Sequence, residues 1–161
     1  SSALGYKLDA SFSNLFGATN TASNEVILVR PTGTSTSFEA ANFPMGVTGG
    51  KTTTCPTENL ASAFEMATGE EFDWNNEAMS QNPYTGRDPR FYLTIVHNGM
   101  TWPAKNAVEI HEGGANGLPL TNATSTGYYL RKYVNNSISF EAGSSSACLL
   151  YTSQLGIISL C

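Results

Sequence analysis

The stretch NPYTGRDPRFYLTIVHNGMTW, residues Asn82 to Trp102, runs a turn, a charge cluster and an apolar segment together without a break. Asn82-Pro83 and Thr85-Gly86 are turn dipeptides, because Pro presets φ and Gly supplies the positive φ that tight turns require. Phe91 to His97 alternates well enough to predict a strand. Asn98-Gly99 best fits a type I′ hairpin turn, which makes Met100 to Trp102 the returning arm. Between turn and strand sit Arg87, Asp88 and Arg90, in a chain only 13% charged. A guanidinium paired with a carboxylate forms a two-point clamp that satisfies loop carbonyls where no ladder does. Pro89 removes a backbone donor and keeps Asp88 from continuing a helix. With no second titratable group beside them to shift a pKa, Arg87, Asp88, Pro89 and Arg90 are expected to hold a turn rather than to catalyse.

Upstream, Lys7 to Phe16 places Leu8, Phe12, Leu15 and Phe16 at helical offsets ahead of Gly17, which predicts a helix with an apolar face. EVILVR, Glu25 to Arg30, is too short for a helix and is stopped by Pro31, so it predicts a buried strand. Ser35 to Thr54 is rich in Gly, Thr and Ser without an apolar period and predicts a long surface loop. Thr57 is placed as an N-cap for ENLASAFEMATG, whose Leu60, Ala61, Phe64 and Ala67 share one face before Gly69. EEFDWNNEAMSQNPYTGR is polar and turn-rich. EGGANGLP predicts another loop, and GYYLRKYV, Gly127 to Val134, a final strand. No internal repeat is present.

At 161 residues the chain fits one domain. Its formal charge of −5, with the basic residues scattered, argues against nucleic acid, since phosphate binding needs clustered Lys and Arg. The same charge disfavours an electrostatic hold on an anionic membrane, and no apolar run approaches the roughly 20 residues of a spanning helix. Direct membrane insertion by this segment is therefore not expected. The 3 cysteines, Cys55, Cys148 and Cys161, have no metal-ligand spacing, and an odd count makes a poor disulfide framework.

Chemistry-bearing patterns are sparse. Glu70, Glu71, Asp73 and Glu77 cluster, and two carboxyls about 5 to 10 Å apart are what a glycosidase uses. Their polar setting offers no burial to raise a pKa, so a solvated acidic turn is the expectation. A carbohydrate-active enzyme built on them remains the alternative. His97 and His111 lack a zincin partner, no G-x-S-x-G elbow occurs, and GVTGGKTTT lacks P-loop spacing. No catalytic residue, metal or cofactor is predicted. Trp74, Tyr84 and Trp102 lie in or beside Asn- and Gly-rich loops, where a flat ring can stack on a sugar C–H face while amides bond its hydroxyls. Each Trp has the alternative of packing into the core.

Taken together, NPYTGRDPRFYLTIVHNGMTW, the preceding PTENLASAFEM and DW, and the later TSTGYYLRKYV strongly resemble the SusD/RagB family of Bacteroidetes outer-membrane lipoproteins, in motif order as well as in content. NEVILVR and YKLDASFSNLF fit the upstream segments, so the resemblance covers about Tyr6 to Val134. It implies an α+β, irregular and loop-rich portion of a mainly α-helical, tetratricopeptide-containing fold, with short helices and a few short strands. It also implies a non-enzymatic surface protein that captures oligosaccharides for a SusC-type TonB-dependent transporter in the outer membrane, held by an N-terminal lipid anchor. Some relatives bind peptides, which leaves a peptide-binding or adhesive module as a further alternative. Full members are several times longer, so an internal fragment is expected, with an exposed apolar face at Leu8, Phe12, Leu15 and Phe16 and marginal stability. Within it, Arg87, Asp88, Pro89 and Arg90 transfer as structural elements only. CLLYTS, Cys148 to Ser153, resembles a translated sequencing adaptor. Residues 1–142 are accordingly expected to be a partial SusD-like domain and 143–161 a non-native read-through tail, the foreign sequence starting at about Ala147.

Overall fold

The computed structural model describes residues 5–16, 23–28, 31–32, 35–102, 107–140 and 151–152, with 31–32 and 151–152 as backbone only. Its elements are short. After a 3-10 turn at Phe12–Phe16 come β1 (Pro31–Thr32), α1 (Ser37–Asn42), α2 (Glu58–Ser62), α3 (Glu77–Gln81), α4 (Pro89–Thr94), β2 (Ile95–Val96), β3 (Tyr129–Leu130) and β4 (Tyr151–Thr152). This is α+β with long irregular connections.

Side-chain caps start three of the helices. Thr57 accepts from the Leu60 amide at the head of α2, and Asn76 accepts from Ala78 and Met79 at the head of α3. Asp88 accepts from the Arg90 amide at the head of α4. The last of these corrects the expected strand over 91–97. Pro89 occupies the first helical position, where its missing N–H costs nothing and its fixed φ is already helical. The Asp-Pro pair therefore begins a helix instead of merely ending one. The β-branched Ile95 and Val96 then return the backbone to the extended region, and Ile95 caps α4 with φ −123° and ψ 138°.

β2 pairs antiparallel with β3, Ile95 opposite Leu130 and Val96 opposite Tyr129. Side chains alternate across this ladder as the pleat demands. Ile95 and Tyr128 enter a cluster with Ala61 and Phe91. Val96 and Tyr129 enter a second cluster with Phe43, Trp102, Val108, Ile110 and Ile138. The two-stranded ladder is thus the wall between two small cores. At the end of α4 the Thr94 carbonyl accepts from both the Arg131 and Lys132 amides, which locks helix to strand.

The hairpin expected at Asn98-Gly99 forms differently. Positive φ falls on Gly99 alone, at +81°, so the type I′ pair of positive φ angles is absent. Met100 does not fold back on β2. It accepts from the Val108 amide, Val108 accepts from Gly99, and Thr101 bridges Ala107. Buried Asn116 organises the loop beyond, its side chain accepting from Glu109 and donating to the Met45 carbonyl. That contact brings two loops so close that a Cβ on Gly46 would lie 2.2 Å from the Ala115 carbonyl oxygen.

Other expectations shorten or change. The helix expected over 7–16 is only the 3-10 turn, with Leu15 buried, Phe12 and Phe16 half-buried and Leu8 exposed. Residues 25–28 form no strand, and Ile27 and Leu28 are exposed; Val29 and Arg30 lie outside the described residues. The loop expected over 35–54 contains α1 and delivers Phe43 to the core, so it is not a surface segment. The helix from Glu58 stops at Ser62, since Met66 leaves it to bridge Arg87; Ala61 is buried but Leu60 and Ala67 are exposed. The polar segment before Asn82 contains α3. Of the strand expected over 127–134, two residues are strand. The boundary at 142/143 and the tail beyond it lie outside the described residues, apart from β4, whose backbone pairs with β1.

Asp88 combines the α4 cap with a side-chain ion pair to Arg90. Hydrogen bonding to Arg90 holds its carboxyl below the ordinary value near 3.8, against the opposing effect of burial. A carboxyl lowered on folding stabilises above its unfolded pKa, and that contribution fades as pH falls through the folded one. Asp88→Ala is expected to cost about 1 to 2 kcal/mol at pH 7. In urea titrations the gap to the unsubstituted chain should narrow below about pH 4, as linkage requires.

Candidate functional site

Arg87 is the organising side chain of the region. It is 4% exposed, and its guanidinium donates to the Pro83, Ala61 and Phe64 carbonyls. Its Cζ lies 4.0 Å from the Phe72 ring centroid and 4.6 Å from that of Phe91. A planar cation that donates in its plane and stacks through its faces suits this slot in a way an ammonium does not. Burial lowers its pKa, with Tyr128, Tyr92 and Glu58 pulling the other way. The group stays charged throughout any ordinary pH range.

The backbone around it is tied just as tightly. The Tyr92 hydroxyl donates to the Tyr84 carbonyl and accepts from the Arg87 amide. Asp88 donates its amide to Glu65, and Ala67 donates to Gly86. The pairing expected within the cluster is divided: Arg90 takes the Asp88 carboxylate at the surface, and Arg87 takes the carbonyls inside.

One edge of this assembly faces water. Trp74 is 43% exposed and meets Phe72 edge to face at 5.1 Å. Its indole N–H donates to Glu58 Oε1 at 2.9 Å and to Ser62 Oγ at 3.2 Å. The other Glu58 oxygen accepts from the Tyr128 hydroxyl at 2.8 Å. Burial, and next the hydrogen bond to Glu58, push the Tyr128 hydroxyl pKa far up, so it remains a donor.

The three aromatic candidates therefore separate. Trp74 keeps an exposed ring. Tyr84 is half-buried, with the His97 imidazole stacked on it at 4.4 Å and Tyr128 at its side. Trp102 is corrected out of the set: it is 1% exposed and packs edge to face against Phe43 at 5.8 Å, so no sugar reaches its face.

Glu70, Glu71, Asp73 and Glu77 are all exposed. Asp73 accepts from Asn75 and Glu77 from Gln81, local bonds of a turn and a helix. His97 is half-buried, and burial lowers its pKa. No group of three His, Cys, Asp or Glu able to hold a metal occurs among the described residues. A groove of about 420 Å³ runs past Phe12, Phe38, Leu60, Phe64, Lys132 and Tyr133. Thr54, Arg90 and Thr94 also line it, so aromatic and aliphatic groups stand beside several hydrogen-bonding side chains.

Sequence reasoning missed Glu58, Ser62 and Tyr128. The i to i+4 spacing of Glu58 and Ser62 was a visible hint, since such pairs share a helix face. The partnership with Tyr128, 70 residues away in sequence, carried none.

The profile of the SusD family matches residues 20–151. Among solved structures, the chain is similar to a SusD-like protein from Bacteroides fragilis NCTC 9343, with 20% identity and a TM-score of 0.69 over 92% of this chain and 34% of that one. It is also similar to a SusD-like carbohydrate binding protein of the same organism, with 23% identity and a TM-score of 0.73 over 92% of this chain and 30% of that one. At these identities the likeness to the two structures shows the fold alone. The chain spans about a third of the length of either. No curated protein sequence matches it.

Arg87→Lys should expose how much depends on the fork. An ammonium cannot span the three carbonyls or stack between Phe72 and Phe91, so a loss of about 2 to 4 kcal/mol is expected in chemical denaturation. A loss below about 0.5 kcal/mol, the range of ordinary surface substitutions, would show the carbonyls to be satisfied without it.

Proposed function

The chain belongs to the SusD family, and from that premise we propose that it is part of a non-enzymatic surface protein that captures oligosaccharides. In this reading the parent protein is lipid-anchored at the outer membrane, adds tetratricopeptide-like helices to the α+β portion, and passes its ligand to a SusC-type TonB-dependent transporter. The partial SusD-like domain is assigned to residues 1–142 and a non-native tail to 143–161, against a family match that runs over 20–151. The family match supports it, as does the likeness in fold to a SusD-like protein that is itself described as carbohydrate binding.

The observation that carries the glycan part is the Trp74 ring, 43% exposed at the surface with its indole N–H hydrogen-bonded to Glu58. A flat apolar face at the surface suits the C–H face of a sugar, and stacking there covers apolar area on both partners. Glu70, Glu71, Asp73 and Glu77 are all exposed, and Asp73 and Glu77 bond within their own turn and helix, which favours binding over hydrolysis.

Affinity electrophoresis through gels containing separate neutral polysaccharides tests this. At least one should retard the chain, and Trp74→Ala should lose about tenfold in affinity, or about 1.4 kcal/mol. Release of reducing sugar from the same panel should stay at the buffer level. Retardation by none, or equal retardation of Trp74→Ala, would remove Trp74 as the contact, and sugar release would overturn the non-enzymatic assignment.

A further inference from the structure

An exposed indole on a loop ordinarily samples several rotamers, and fixing it upon binding costs free energy. Trp74 is different. Its N–H is shared between Glu58 and Ser62, and Ser62 itself donates to Glu58 Oε1 at 2.7 Å. Its ring stands perpendicular to that of Phe72, which also carries the buried Arg87 cation. Glu58 sits in the first turn of α2, behind the Thr57 cap, and its second oxygen is held by Tyr128, which is 4% exposed within the core. One carboxylate thus links a surface ring to the interior.

We infer that Glu58 is a positioning residue, fixing the plane of the Trp74 indole before any ligand arrives. The inference rests on the reading of Trp74 as a sugar contact and deepens it. With its N–H committed, the indole offers a ligand only its face. Its contact is then the contiguous C–H face of a pyranose, and the hydroxyls must be met by other groups. The free energy of ordering the ring is spent in folding, which leaves more of the stacking energy to appear as affinity.

Fluorescence separates this role from a merely structural one. Trp102 is 1% exposed, so emission quenched by acrylamide comes from Trp74, and Trp74→Phe verifies the assignment. In the unsubstituted chain the quenchable component should depolarise only with overall tumbling. Glu58→Ala should add a fast local decay and lower affinity about tenfold for the polysaccharide that retards the parent chain, the size expected for losing a preorganised contact.

Glu58→Gln keeps an oxygen for the indole N–H but places an amide opposite Tyr128, so it should fall between the two. If Glu58→Ala fails to fold, judged by circular dichroism, Glu58→Gln and Ser62→Ala supply the same comparison. Unchanged depolarisation in the folded variants overturns the positioning role. If no polysaccharide retards the parent chain, the glycan reading fails, and the fluorescence still decides whether Glu58 holds the ring.

Discussion

Three carbonyls with no ladder to serve them impose the constraint around which this region is built. α2 is a short helix; the Ala61 carbonyl accepts from the amides that close its last turn and still has a lone pair to offer, while the Phe64 carbonyl just beyond has no backbone donor among the described residues. The Asn82–Thr85 turn leaves another at Pro83. A buried carbonyl without a donor costs about 1 to 3 kcal/mol, so leaving those of Phe64 and Pro83 bare would remove a large share of the stability of a small domain. The Arg87 guanidinium meets all three at once. Burying its charge would be expensive on its own, and the rings of Phe72 and Phe91 on its faces offset part of that cost.

From that point the rest of the arrangement follows. Phe91 must lie beside the guanidinium, which sets the rotation of α4, and α4 passes directly into β2. Because β2 alternates, Ile95 serves the Arg87 side and Val96 the other, so two small cores share one pair of strands. Phe72 also packs on the cation and meets Trp74 with the two rings perpendicular. The exposed indole and the buried charge therefore share one ring, Phe72.

What could be read from the sequence was local. Thr57 ahead of Glu58 signalled a cap, and Asn82-Pro83 and Thr85-Gly86 signalled a turn, because these residues act on the backbone within three or four positions. The same reasoning undervalued Asp88-Pro89, a cap followed by a residue suited to the first helical position, because the alternating apolar run behind it suggested a strand. The run alternates for a different reason: Phe91 faces Arg87, Thr94 ends the helix, and Ile95 and Val96 begin the ladder. The order of motifs carried the family assignment, and that order survives even where each element's type was misjudged. Loops 35–54 and 107–123 were illegible, since Asn116 bonds to Met45 across 71 residues and nothing in either segment announces its partner.

The tryptophans show why a residue type in a loop does not specify a surface. Trp102 and Trp74 both flank polar turns in the sequence. Around Trp102 the chain turns inward, since Met100 and Thr101 pair with 107–108 and press the indole onto Phe43. Its N–H is buried with no hydrogen-bond partner among the described residues, a cost that only extensive packing of the ring offsets. Around Trp74 the polar end finds Glu58 and Ser62, so the ring remains at the surface without a dangling donor. The difference lies in where the N–H goes, and that depends on a carboxylate 16 residues upstream. A surface aromatic becomes a fixed platform when its polar edge is satisfied by the protein, because its face is then what remains to offer.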